Sequence, residues 1–399
     1  WLSGLDSFIL SDMGGTTTDL GILLDGRPKV TAQGAEVGGW RTMVKAIDVK
    51  TIGLGGDSEV QLDGLGNLII GPQRAVPVSL LAERFPVTQD LLDADLAETE
   101  GGSMLGKFLV RPFGDKGGAS VGVTEREAEI LARIGNEPVP LRRIAVSSAA
   151  QRTVASLRRK GLLQYCCFTP SDSALVLGLQ DNWPTSAAVK AARLMARFRM
   201  MKMPDDAETQ NFCREVWHKT VSLSARIILE TAMGPKDKDS AVWDAVCEGR
   251  GKVGLARVSL SPSVPIVAVG GPAKVYYEEV AKRLDCEVIF APFCDVANAV
   301  GAAAGQVADK VTLTVEGDGN GAFRIHGDGG THLFGSGKLA MAEAVKLAET
   351  HALSQARARG AVDPKITLSV EKNLLPDAKD DDGLLTATVT AEAIGQPAG

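Results

Sequence analysis

The sequence predicts an α/β protein of two or three domains, and three observations lead there. The chain has 399 residues, and domains of about 150 residues give two or three of them. Glycine is abundant at 44 residues while aromatic residues make up only 5%, which suits tight turns between short strands and helices better than an aromatic-packed β-sandwich. Short apolar runs bounded by glycine turns stand at both ends of the chain, with long amphipathic stretches between them.

Taken in order, Ser7–Ser11 reads as a buried strand, and Asp12-Met13-Gly14-Gly15-Thr16-Thr17-Thr18-Asp19 interrupts it. Leu20–Leu24 resumes the apolar pattern. Asp25-Gly26 is a two-residue hairpin signal, after which Pro28–Ala32 returns antiparallel. A second glycine turn follows at Ile52-Gly53-Leu54-Gly55-Gly56-Asp57-Ser58, with strands at Glu59–Leu62 and Leu68–Ile70 beyond it. The middle, Val123–Gly251, is helical. Thr124 and Glu127 form a capping box with Gly135 as a stop. Further helices run from Thr185 or Ser186 to about Met203, ended by Pro204, and from Glu208 to Met233, ended by Gly234-Pro235. The block has the look of an insertion between two α/β segments. Val264–Val269 is again a buried strand, Gly270-Gly271-Pro272 a turn, Ala273–Leu284 a helix and Glu287–Phe290 a strand. A helix of small residues is expected over Asn298–Gly305. The last segment reads ββαββ: strands at Val311–Val315 and Ala322–His326, an alanine-rich helix over Gly337–Ala358, and strands at Lys365–Val370 and Leu384–Ala393. The Asp377–Asp382 run reads as a solvated loop tip.

Composition excludes several function classes. Hydrophobic residues are 45% and charged residues 23%, near the soluble average, so the chain is not disordered. Lys plus Arg is 43 against 49 for Asp plus Glu, a net charge of −6, without the basic face that nucleic acid requires. No window approaches the ~20 apolar residues of a membrane span. The cysteines, Cys166, Cys167, Cys213, Cys247, Cys286 and Cys294, form no CxxC pair and read as buried thiols of a reducing compartment, hence a cytoplasmic protein. There is no signal peptide and no initiator Met, and the chain at Trp1 is expected to start inside a longer protein.

Asp12 to Asp19 is the sharpest chemical signal. Glycines let a backbone fold close against an anion with amide N–H groups pointing at phosphate oxygens, and Thr16, Thr17 and Thr18 add hydroxyl donors. The two carboxylates cannot face phosphate directly. They are suited to a magnesium ion that neutralises it, and one of them to positioning an attacking water. A plain glycine-rich hairpin with threonines chosen for strand propensity is the competing reading of the same residues. Asp57 and Ser58 allow phosphate or substrate contact, or an ordinary hairpin entry. Ser171 and Asp172 read as a helix cap ahead of a catalytic pair. His218, His326, His332 and His351 show no ligand spacing such as HxxxH, and Cys166-Cys167 read as core before nucleophile.

The strand–turn–strand at Asp12–Asp19, the later Val269-Gly270-Gly271-Pro272 and the small-residue helix after it resemble, in that order, the second lobe of the actin, sugar kinase and Hsp70 ATPase superfamily. The run Asp12–Leu24, Asp25-Gly26-Arg27-Pro28, Gly38-Gly39, Asp48–Ser58 and Phe168–Gly178 narrows this to a resemblance to the hydantoinase A/oxoprolinase family. The family's third glycine is replaced here by Asp57, and the stretch around Leu175 lacks the His often found there.

The resemblance implies a ribonuclease H-like ATPase lobe with a helical insertion and a small C-terminal α+β domain. Residues 1–122 would be the first part of the lobe, 123–251 the mostly helical insertion, 252–310 the remainder with its adenosine-side Gly-Gly, and 311–399 the terminal domain. It implies ATP and Mg2+ as cofactors, with Asp12 and Asp19 as catalytic and metal-holding residues. Gly14, Gly15, Thr16, Thr17, Thr18, Gly55, Gly56, Gly270 and Gly271 would bind the nucleotide. The implied activity is ATP-dependent hydrolysis of a cyclic amide of the hydantoin or 5-oxoproline type through a phosphorylated amide, with a second hydantoinase-type subunit as a possible partner. A regulatory nucleotide-binding subunit of a carboxylase- or reactivase-like assembly is the alternative. Since the superfamily closes two lobes on ATP and only one phosphate hairpin is present, the chain alone is expected to bind ATP weakly and turn it over negligibly.

Overall fold

The computed structural model describes residues 3–31, 36–37, 40–41, 46–99, 102–113, 122–234, 240–297, 307–319, 321–327, 330–375 and 380–397. The Gly38-Gly39 pair, Pro235, the small-residue helix expected at Asn298–Gly305 and residues 377–379 of the aspartate run lie outside them. The chain is a mixed α/β protein that divides into two compact units, Trp1–Ala297 and Asn298–Gly399.

The first unit is organised by a six-stranded sheet. Val288–Phe290, Ile266–Val269 and Phe8–Met13 lie side by side in parallel, and Thr18–Leu24 folds back antiparallel on Phe8–Met13. Arg27–Pro28 and Val49–Ile52 both pair with Thr18–Leu24. The return at Asp25-Gly26 has both residues at positive φ, 50° and 73°, the conformation of a type I′ hairpin turn whose twist matches that of the strands.

Ser58–Leu62 and Leu68–Arg74 form a separate hairpin. A four-stranded sheet joins Val76–Pro77, Gln164–Cys167, Phe108–Val110 and Val139–Pro140. Two of those strands fall inside the block read as an insertion, which also holds helices Glu125–Ile134, Ser148–Arg159, Pro170–Val176, Thr185–Met200 and Asp206–Met233. That reading is corrected in one respect. The two long helices are not an outlying cap, because Ala187, Leu194, Phe212, Val216 and Ile228 share one continuous buried cluster with Ile9 and Met13 of the first strand and with Ile266. Burial against the main sheet makes them part of its core.

The expected capping box is present. Thr124 accepts from the Glu127 amide while the Glu127 carboxylate accepts from the Thr124 amide, and Gly135 ends that helix at φ 56°. Helices at Val78–Arg84 and Val87–Ala97 are absent from the sequence reading. No described helix is long and apolar enough to cross a membrane.

The second unit is a five-stranded sheet in the order Gly330–Phe334, Phe323–Gly327, Val307–Gly317, Leu384–Pro397, Ala361–Leu374, antiparallel throughout. The order along the chain is therefore βββαββ, with one strand more than expected, and Val307–Gly317 crosses the boundary placed at 310/311. The Gly337–Ala358 helix packs on the sheet with a stripe of fully buried alanines: Ala340, Ala344, Ala348, Ala352 and Ala356. Spacing by four keeps them on one helical face, and methyl side chains bring the helix close to the strands. Asp382, the last of the aspartate run, accepts from the Gly337 amide at 2.7 Å and from the Ser336 hydroxyl at 3.0 Å. It thus serves the start of that helix as an anionic cap.

Candidate functional site

The antiparallel register places Asp12 directly opposite Asp19, and Asp19 directly opposite Thr51. On the other side Asp12 pairs with Val269, the residue before Gly270. Val269, Asp12, Asp19 and Thr51 therefore form one row across four strands of the sheet. Side chains directly opposite in an antiparallel pair project from the same face, with Cβ atoms about 4.5–5.5 Å apart. The inward face is taken by Ser11, Met13, Thr18 and Leu20, all buried. Asp12 and Asp19 are on the other face and half-buried. Thr51 was not singled out from sequence. Its hydroxyl donates to Asp19 Oδ1 at 2.5 Å, and its place just before the Ile52-Gly53 turn is the only signal that could have marked it.

Three glycine turns far apart in sequence meet at this end of the sheet. A Cβ built on Gly55 would lie 2.5 Å from both the Gly14 and Gly15 carbonyl oxygens. The Gly56 amide donates to Gly14 O at 3.2 Å and the Asp57 amide to Gly15 O at 2.7 Å. Gly270, at φ 97°, lies so near the first strand that a Cβ would meet Met13 O at 2.1 Å and Asp12 Oδ1 at 3.0 Å. A Cβ on Gly56 would meet Ser171 Oγ at 2.6 Å and Pro272 Cβ at 3.4 Å. These glycines are required by close approach of backbone to backbone. Below the row, the Ser11 hydroxyl is hydrogen-bonded to the buried Tyr277 hydroxyl, which ties the Ala273–Arg283 helix to the first strand.

The sequence-derived ligand contacts divide in two. Gly15, Thr16 and Thr17 sit in the turn between the strands, and among the described residues their amides have no backbone acceptor. Gly271 is exposed with open space around it. These remain available to an anion. The other residues expected to bind the nucleotide each have a donor engaged within the protein. The Thr18 hydroxyl donates to Leu54 O at 2.7 Å. The Gly14 amide donates to Thr17 O at 2.8 Å and the Gly270 amide to Cys294 O at 2.8 Å. The Gly55 amide donates to Ser58 Oγ at 2.9 Å. Gly14, Gly55, Gly56, Gly270 and Thr18 hold the turns together.

Asp57 lies against the turn, its Oδ2 2.4 Å from where a Gly15 Cβ would stand. Burial pushes its carboxyl above the usual range, and the Arg74 guanidinium, 3.5 Å away, pulls it partly back. Asp172 is fully buried and does the work of a cap. It accepts from the Val78 amide at 3.1 Å, the Ser79 amide at 2.9 Å, the Thr169 amide at 3.0 Å, and the Ser79 and Thr169 hydroxyls. Two helix starts, Val78 and Pro170, thus share one carboxylate. Tyr276, close enough that Asp57 and Asp172 add to the burial raising its hydroxyl's pKa, is buried, and its hydroxyl has no hydrogen-bond partner among the described residues. Cys166 and Cys167 are buried free thiols, pushed up by burial, which fits core and not a nucleophile. His218 contacts Arg283 at 2.8 Å, and burial holds its ring below the usual range.

Among the described residues no group of three or more His, Cys, Asp or Glu side chains is arranged to hold a metal. Magnesium does not need one. It is held by one or two carboxylates, with waters and phosphate oxygens completing its shell, and the facing Asp12 and Asp19 fit that donor set.

Residues 2–85 match the family model for hydantoinase/oxoprolinase. That segment contains the Asp12–Asp19 turn, the Gly53–Ser58 turn and Arg74. No curated protein matches the sequence. The fold is similar to a solved nucleotide-free structure of acetone carboxylase, from work on the mechanism of ATP-dependent acetone carboxylation. The TM-score is 0.50 at 12% identity, covering 98% of this chain and 47% of that one. The chain thus spans about half the length of that protein, and at such identity the likeness concerns the fold.

Proposed function

We propose, for a chain that over residues 2–85 is of the hydantoinase/oxoprolinase family, that the cluster of glycine turns binds ATP and that the protein serves an ATP-dependent activation of a carbonyl oxygen. The observation that carries this reading is the register that sets Asp12 opposite Asp19 where the turns at Gly14-Gly15, Gly55-Gly56 and Gly270-Gly271 converge. Like charges directly opposite in a sheet are destabilising, so a half-buried pair of this kind is expected to serve a cation. The turn cluster also lies at the carboxyl ends of the parallel strands Phe8–Met13 and Ile266–Val269, where open α/β sheets take their ligands.

The residues present assign the roles. The amides of Gly15, Thr16 and Thr17 and the threonine hydroxyls donate to phosphate oxygens. Asp12 and Asp19 hold magnesium through hard oxygen donors, and Thr51 fixes the Asp19 carboxylate by its hydroxyl. Magnesium-ATP, when bound, supplies a phosphoryl group that converts an amide oxygen into a leaving group. A cyclic amide, hydantoin or 5-oxoproline in type, would be opened by one water adding to the activated carbon; the ring C–N bond would break with a proton passing to the nitrogen, leaving an acyl phosphate, and a second water would release phosphate and the free carboxylate. One carboxylate of the pair would accept the proton of the attacking water. A ribonuclease H-like lobe is the arrangement this reading assumes.

The likeness to acetone carboxylase favours a second reading of the same site, in which the activated oxygen is that of a ketone enolate on its way to carboxylation. A regulatory subunit that binds ATP to reshape a partner is a third role open to the same turns.

The test is titration of magnesium-ATP into the chain and into Asp12→Asn and Asp19→Asn variants, with weak binding expected for the wild-type chain; phosphate release with hydantoin, 5-oxoproline, or acetone plus bicarbonate is then read on the longer protein that this chain is expected to belong to. Binding should weaken at least ten-fold in each variant. The substrate that stimulates phosphate release separates the readings, and release indifferent to all three favours the regulatory role. Equal binding by wild type and both variants would remove the carboxylate pair from the site.

A further inference from the structure

A cleft of about 1010 Å³ lies in the first unit, between the Ser58–Leu62 and Leu68–Arg74 hairpin, the Ser148–Arg159 helix and the Gln164–Cys167 strand. Nothing in the nucleotide reading uses it. Its lining carries five cationic side chains, Arg74, Lys107, Arg152, Arg158 and Arg159, and one carboxylate, Glu59. On a chain of net charge −6 that concentration of positive charge in a concavity is the reverse of the average surface, and low-dielectric walls focus such a field.

Glu59 offsets only part of that charge. It is 4% exposed and forms ion pairs with Lys107 Nζ at 3.7 Å and the Arg158 guanidinium at 3.8 Å, so one carboxylate is shared between two of the five cations. Arg158 is held in position independently: its guanidinium stacks 4.8 Å from the centre of the Tyr165 ring and donates to the Arg74 carbonyl at 2.6 Å. Arg152 and Arg159 are seven residues apart on the Ser148–Arg159 helix, hence on one face. Among the described residues no ion pair engages either of them. The wall also has an apolar part, with Met104, Leu141, Val154 and Leu163.

We propose that this cleft binds a small organic oxyanion, a carboxylate or a phosphate ester on an apolar body. Guanidinium groups, Arg158's held in position and those of Arg152 and Arg159 exposed beside it, match the planar, paired oxygens of such groups, and like-charged side chains brought together in a concavity gain from an anion between them. The volume is that of a small-molecule site, too confined for a duplex. Arg74 joins this cleft to the turn cluster, since it lines the one and pairs with Asp57 of the other.

An isosteric series tests the proposal: benzoate, phenyl phosphate and benzamide, titrated calorimetrically into the full chain without nucleotide. At least one anion should bind saturably, and benzamide at least ten-fold more weakly. The stronger anion identifies whether carboxylate or phosphate is preferred. The Arg152→Ala/Arg159→Ala double variant should lose at least ten-fold in that affinity, and Glu59→Gln should gain about three-fold, because it removes the opposing charge. Both variants should keep the wild-type circular dichroism spectrum. Absence of saturable binding by either anion, benzamide binding as well as the anions, or a folded double variant with unchanged affinity would overturn the proposal. Because no nucleotide is present, failure here leaves the reading of the turn cluster intact.

Discussion

Asp12 and Asp19 on one side, and Asp172 on the other, set a carboxylate pair proposed to serve a ligand against a carboxylate that serves the fold. In sequence they are alike: each stands in a short run of small and hydroxyl residues, Asp12-Met13-Gly14-Gly15-Thr16-Thr17-Thr18-Asp19 and Thr169-Pro170-Ser171-Asp172-Ser173. In structure they are opposites. Asp172 is fully buried and accepts from three amides and two hydroxyls. Asp12 and Asp19 are half-buried and stand opposite each other across a hairpin. A buried charge survives only when its hydrogen bonds are made internally. Like charges directly opposite each other in a sheet are a local cost to the fold, and the proposed cation would relieve it.

The largest expected effect tests the structural member of that comparison. Asp172→Ala removes the acceptor of five donors, leaving the Val78, Ser79 and Thr169 amides buried without partners. The loss should be about 3–5 kcal/mol of unfolding free energy, read as a lowered denaturant midpoint with an unchanged slope. A loss under about 1 kcal/mol would mean that water replaces the carboxylate and that it is not the clamp between the two helices.

The opposite sign is expected at the other site. Asp12→Asn or Asp19→Asn relieves the like-charge opposition. Each variant should be as stable as the wild type or more stable by about 0.2–1 kcal/mol in the absence of magnesium and nucleotide. Added magnesium should stabilise the wild type more than either variant. Destabilisation by either substitution, measured in the same denaturant titration, would show that the pair belongs to the fold after all.

The contrast also explains what could be read from sequence. The Asp25-Gly26 hairpin, the Thr124–Glu127 capping box and the stop at Gly234 were legible because their determinants lie within a few residues of one another. The Asp12–Asp19 turn was legible as strand–turn–strand for the same reason. What was not legible depends on distant partners. Nothing near Asp172 announces Ser79, and nothing in Gly55-Gly56 announces that they pack on Gly14 and Gly15. Thr18 could not be told from Thr16 and Thr17 until strand alternation turned its side chain inward to Leu54. The Gly330–Phe334 strand is short and glycine-led, and its pairing with Phe323–Gly327 gives it an identity its composition does not. The Val78–Arg84 helix escaped because its N-cap, Pro77, makes no side-chain bond and its first amides are capped from Asp172, across the sequence.

Asp57 stands between these extremes and gives the smallest and most diagnostic effect. It is mostly buried like Asp172, yet its side-chain partner is one guanidinium at 3.5 Å. Its carboxyl is therefore raised, with burial outweighing Arg74. A folded-state pKa above the unfolded value of 3.8 means that the native state holds the proton more tightly than the unfolded chain. Asp57 then opposes folding most when ionised. Its cost is absent below the unfolded pKa, grows as pH rises through the interval up to the folded pKa, and is constant above it. Asp57→Asn removes that term, while the Arg74 contact it loses is worth at most about 1 kcal/mol. Stability of the wild type minus that of the variant should thus fall as pH is raised from the unfolded value of 3.8 through the folded one, then level off. Asp172 contributes equally to both proteins and cancels. A difference that is flat, or that rises with pH, would show that Arg74 governs Asp57 more than burial does. Asp57 would then belong with the well-satisfied carboxylates of the fold.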